Sequence, residues 1–78
     1  MDNKVTAMKP YGHIELRLKE LMQLKNISRG SLARAINARY EVIDKWYHGR
    51  VERMDMDVLA RICYVLECRP EDIIIYKK

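Results

Sequence analysis

Apolar and polar positions change their period along this chain. In "HIELRL", residues 13–18, apolar side chains fall at Ile14, Leu16 and Leu18, the two-residue alternation of a strand. From Leu18 the period lengthens. Leu18, Leu21, Met22 and Lys25 share one helical face, with Leu24 beside it. Asn26 suits the position that ends a helix, so the spacing predicts a first helix from about Arg17 to Lys25. Ser28 is a good N-cap, and Leu32, Ala33, Ala35 and Ile36 mark a second, short helix with Arg29 and Arg34 outward. Asn37 tolerates the left-handed conformation that stops a helix abruptly, and Ala38 is small enough for a tight turn. A third helix then runs from Arg39 or Tyr40 to His48. Ile43 and Trp46 face inward, Val42 and Tyr47 do so in part, and Gly49 closes the helix. Asp55 caps a fourth helix, whose inward stripe is Leu59, Ile62, Cys63 and Leu66 with Val58 and Val65 at its flanks. After a break at Cys68 and Arg69, Pro70 opens a fifth helix that ends near Ile74, with Glu71 and Asp72 at its positive end. The β-branched tail "IIIYKK" can be the last piece of core, a strand pairing with "HIELRL", or an edge shared between two copies.

The expected fold is therefore all-α: a compact five-helix bundle with a short N-terminal strand pairing with the C-terminal segment. At 78 residues the chain makes one domain. Pro10 and Gly12 break any helix before it, so residues 1–12 read as an arm and 13–78 as the domain. The arm is expected to be disordered or to reach along a groove through Lys4 and Lys9. Met22, Met54 and Met56 are expected in the core or at its rim.

Charge sharpens this picture. The net charge is +4. Residues 25–53 hold seven basic against three acidic side chains, so the middle third accounts for the whole excess. A localised basic surface is the footprint of a polyanion binder. No apolar run approaches the roughly 18 residues of a membrane span, and the first ten residues lack the apolar core of a signal peptide, so a cytoplasmic protein is expected. Cys63 and Cys68 are five apart and read as two free thiols. His13 and His48 lie in different elements with no carboxylate pair or nucleophile motif around them. No enzyme, metal, cofactor or small-molecule ligand is expected.

Two short helices across a tight turn form a helix-turn-helix unit, and the demands of that unit are met here. Ala33 is small where the second helix crosses the first, Asn37 sits at the turn, Ile43 and Trp46 anchor the second helix, and Ile36 and Ala38 cover the turn from inside. With these residues in place, residues 16–76 resemble the Cro/C1-type helix-turn-helix transcriptional regulators, also called the xenobiotic-response-element-like family, whose fold is the lambda-repressor-like DNA-binding domain. The family's usual run is a Leu-Ala pair, a Gly at the turn, a Val-Ser entry, a Thr-Ile anchor and a closing Gly. Here those places hold Leu32-Ala33, Asn37, Ala38-Arg39, Val42-Ile43 and Gly49. Arg39 stands where Ser often caps the recognition helix, and Arg29 where Gln often meets a phosphate.

The resemblance implies a sequence-specific regulator of transcription that binds double-stranded DNA as a homodimer. Its third helix, about residues 39–48, would lie in the major groove. Arg39, Tyr40, Glu41, Asp44 and Lys45 are the expected base-reading residues, and Ser28, Arg29, His48, Arg50 and Arg53 the expected backbone contacts. The acidic Glu41 and Asp44 keep a second function open: a protein-binding adaptor or antitoxin-like module on the same fold, without specific DNA contact. Glu41 and Lys45 are also an i,i+4 pair that would support the helix without DNA.

Overall fold

A computed structural model describes residues 10–78. The arm expected before residue 10, with Lys4 and Lys9, lies outside the described residues. The element order is β1 (His13–Leu16), α1 (Leu18–Lys25), α2 (Arg29–Ala35), α3 (Tyr40–Tyr47), α4 (Met56–Leu66), α5 (Pro70–Ile73) and β2 (Ile74–Lys77). The five helices and the paired termini follow the hydrophobic pattern closely. β1 and β2 form an antiparallel two-stranded sheet with the register His13↔Lys77, Ile14↔Tyr76, Glu15↔Ile75 and Leu16↔Ile74.

Every helix contributes at least one fully buried side chain to a single core. These are Leu18 and Met22 from α1, Leu32 from α2, Ile43 from α3, Ile62 from α4 and Ile73 from α5. Burying each such side chain stabilises the fold by about 1.5–3 kcal/mol. Trp46, Leu66, Ala33 and Ile36 complete the core. Trp46 is thus a core residue and not an exposed platform. The tail is divided: Ile73 is buried, whereas Ile74 and Ile75 are half-buried in the strand. Met22 and Met54 occupy the core and its rim, but Met56 does not. It is the first residue of α4 and is 75% exposed, because it lies to one side of the Leu59–Ile62–Leu66 stripe.

The helices end in a common way. Asn26, Asn37, Gly49 and Glu67 all have positive φ, between 53° and 69°. In each case two backbone bonds close the last turn. For α2 they are Asn37 N–H to Arg34 O at 3.1 Å and Ala38 N–H to Ala33 O at 2.9 Å. This is the Schellman closure, in which the residue after the left-handed one donates its N–H to the carbonyl five positions earlier. Those pairs are Ile27 with Met22, Ala38 with Ala33 and Cys68 with Cys63, all apolar, and at the end of α3 Arg50 with Lys45, both cationic. The Cys68 thiol is pushed up to about 11, first by burial and then by the neighbouring Cys63.

Two caps fix the helix starts. Ser28 Oγ accepts the Ser31 N–H at 3.1 Å, and Asp55 Oδ1 accepts from Asp57 and Val58 at 2.9 and 3.3 Å. The helix-turn-helix is also pinned from behind. Arg61 on α4 donates to the Ile36 carbonyl at 2.9 Å, at the negative end of α2, and pairs with Asp57 at 2.9 Å. The sheet is joined to the bundle by the Arg17 N–H, which donates to the Ile73 carbonyl at 2.6 Å.

Candidate nucleic-acid interface

The orientation of α3 follows from its two anchors. Ile43 is fully buried and Trp46 is 3% exposed, so the opposite side of the helix faces outward. A helix turns about 100° per residue, which sorts that outer side into two ridges. Glu41 and Lys45, both exposed, form one ridge one turn apart, and the exposed Arg39 precedes the helix. Tyr40, Asp44 and Tyr47 form the other, turned toward the start of α2. Arg39 is the N-cap residue of α3, and its side chain makes no capping bond. Its guanidinium is therefore not consumed by the helix it begins.

The second ridge is organised around Asp44. Arg29 from α2 donates to Asp44 Oδ1 at 2.6 Å. His48 Nδ1 lies 3.0 Å from the Asp44 backbone oxygen and 3.4 Å from Oδ1. Arg50 reaches Oδ2 at 3.7 Å. The Asp44 side chain is only 28% exposed, and this carboxylate is answered by the Arg29 and Arg50 guanidiniums with the His48 ring beside them. Arg29 is held on a second side by π faces. Its guanidinium carbon is 4.7 Å from the Tyr47 ring centre and 5.7 Å from that of Tyr40. Tyr40, Asp44 and Tyr47 stand at i, i+4 and i+7, so one helical face supplies both rings and the acid.

Beyond α3 the cationic surface continues. Lys45, Arg50 and Arg53, with the acidic Glu52 and Asp55, line an open cleft of about 570 Å³ together with Val42, Trp46 and Val51. The Lys45–Arg50 closure of α3 thus places two cations where α1, α2 and α4 use apolar pairs. Ser28 serves as the cap of α2 and also donates to Ser31 Oγ at 3.0 Å.

Of the residues expected at the interface, Arg29, Tyr40, Asp44, His48 and Arg50 meet on α2, α3 and the following loop, and Lys45 and Arg53 line the cleft beyond. A profile of the Cro/C1-type HTH DNA-binding domain matches residues 17–78. This chain belongs to the Cro/C1-type HTH DNA-binding family. Comparison with curated proteins gives no match. Seven chains of solved structures match, among them one described as "Crystal structure of a putative DNA-binding protein from Bacteroides fragilis". It is 19% identical, covers 81% of this chain and 100% of its own, and superposes with a TM-score of 0.72. At that identity the likeness concerns the fold.

Seen as a Cro/C1-type domain, the chain keeps α2 as the bracing helix and α3 as the exposed one. Sequence reasoning placed Asp44 with the base-reading residues. The structure draws its carboxylate back onto Arg29, His48 and Arg50. Among the described residues no ion pair joins Glu41 to Lys45, so the expected i,i+4 pairing is not formed. Tyr47 was missed as part of this site. Its spacing from Tyr40 and Asp44 was visible, but the partner that gives the spacing meaning lies on another helix. No helix among the described residues is long and apolar enough to cross a membrane.

Proposed function

We propose that this protein is a cytoplasmic, sequence-specific regulator of transcription that binds double-stranded DNA as a two-fold dimer. The single observation that supports this best is the exposed outer side of α3, braced by α2 and leading to Lys45, Arg50 and Arg53 at the cleft beyond it. In this account α3 enters the major groove. Arg39 donates to a guanine edge, Lys45 reaches a guanine oxygen or nitrogen, and Glu41 accepts from a cytosine amino group. Tyr40 touches a thymine methyl or a phosphate. Arg29, His48, Arg50 and Arg53 meet phosphates and set the register, with Ser28 holding the start of α2 beside them. Asp44 takes a different part from the one its place on the outer side of the helix suggests. It fixes Arg29 and Arg50 in place and leaves no bare negative charge against the phosphates.

That role for Asp44 also weighs against an adaptor that has lost DNA contact. The acidic pair Glu41 and Asp44 was its main support, and one of the two is now compensated. The test is a double variant, Arg39→Ala with Lys45→Ala. Both residues are exposed, so the fold should survive by circular dichroism. Specific binding should fall by about 100-fold, at about 1–3 kcal/mol for each lost base contact. Unchanged specific affinity would remove α3 from the groove.

A further inference from the structure

We propose that two copies of this protein join through the free edge of β1, making a continuous four-stranded antiparallel sheet β2–β1–β1′–β2′ about a two-fold axis at Ile14. The inference rests on the dimeric reading above and names its surface.

The sheet has two strands among the described residues, so β1 has one side that meets no other described strand. Such an edge is a template for another strand. The strand order and side chains make this edge self-complementary. An antiparallel strand paired with itself about Ile14 sets Ile14 opposite Ile14′, His13 opposite Glu15′ and Glu15 opposite His13′. His13 and Glu15 lie 3.1 Å apart within one strand, and in the joined sheet each also faces the other's copy, so no two carboxylates oppose one another and the apolar residue meets its own copy at the axis. The complementarity extends across the sheet. Ile14 pairs with Tyr76 in the present register, so one face of the joined sheet would carry the row Tyr76–Ile14–Ile14′–Tyr76′. Both residues are exposed here, Ile14 at 58% and Tyr76 at 56%. Such adjacent aromatic and β-branched pairs are what stabilise sheets.

The ends of the strand are prepared for this. Gly12 lets the chain lie against β2, because a Cβ there would sit 1.8 Å from the Lys77 carbonyl oxygen. The Tyr76 hydroxyl accepts the Gly12 N–H at 3.0 Å, which lays the Tyr76 ring along β1 toward its start. The other edge is less suited. β2 follows α5 directly and ends in Lys77 and Lys78, and lysine on an edge discourages pairing.

Sedimentation equilibrium on the full chain tests this. The wild type should be a dimer, and Ile14→Lys, which sets two ammonium groups at the axis, should raise the dimer dissociation constant by about tenfold or more. His13→Glu should weaken the dimer by setting two carboxylates against each other. The exchange His13→Glu with Glu15→His should restore it. Circular dichroism should show all three variants folded. Tyr64→Lys, an exposed apolar site on α4, should leave the dimer unchanged. A monomeric wild type, a dimer indifferent to Ile14→Lys, an exchange that fails to restore pairing, or a dimer lost in Tyr64→Lys would each overturn the proposal. A dimer that binds no DNA would remove the DNA reading and leave this interface standing.

Discussion

Asn37 shows how much one residue can settle. Its φ of 58° ends α2 and begins the turn, and the two bonds of the Schellman closure depend on it. Asn37→Gly should therefore leave stability within about 0.5 kcal/mol, since glycine adopts this conformation freely. Asn37→Val should cost about 1–2 kcal/mol or more, because a branched side chain clashes in the left-handed region. Urea denaturation midpoints distinguish the two. Asp44 and Glu41 make a second contrast, since both are acidic and both lie on the outer side of α3. Asp44→Ala removes the partner of Arg29, Arg50 and His48 and should lower stability by about 1 kcal/mol, a fall of about 4–8 °C in Tm. Glu41→Ala should stay within about 0.5 kcal/mol. Thermal melts of both variants check this, and equal effects would deny Asp44 its special place. Asn37, Ser28 and Asp55 were legible in the sequence because a cap or a turn is decided by a few neighbouring residues. Asp44 was not, because Arg29, its shortest partner, stands 15 residues away on another helix.

At the scale of elements, α3 begins without a side-chain cap. Asp55 caps α4 through its side chain, whereas Arg39 gives α3 no such bond. Arg39→Ser should supply one and stabilise the protein by about 0.5–1 kcal/mol. The same change removes the proposed guanine contact, so specific DNA affinity should drop while Tm rises. A rise in both would mean that Arg39 serves nothing on DNA. The periods of two and 3.6 residues located β1 and the helices because each element has one apolar side and one core to bury it in. The pairing of "HIELRL" with the tail was legible for the same reason: both are short, β-branched or alternating, and flank the helical run. Met56 broke the pattern because it is the first residue of α4 and lies off the inward stripe, so an apolar side chain at helical spacing still met no cover.

For the whole molecule, charge is the property that the fold turns into a surface. The excess of the middle third was visible in the sequence. The meeting of Arg29, His48 and Arg50 on the side of α3 away from Ile43 and Trp46 was not, since it depends on Asp44 drawing them together. The account stands or falls on DNA binding by that side. The most direct test is fluorescence anisotropy with a pool of random-sequence duplexes across a salt series, with the bound fraction sequenced. The account predicts an enriched, near-palindromic motif and a plot of log affinity against log salt with a slope of about −4 or steeper, as expected for five or more phosphates neutralised. No binding at low salt, or binding that enriches no sequence, would contradict it.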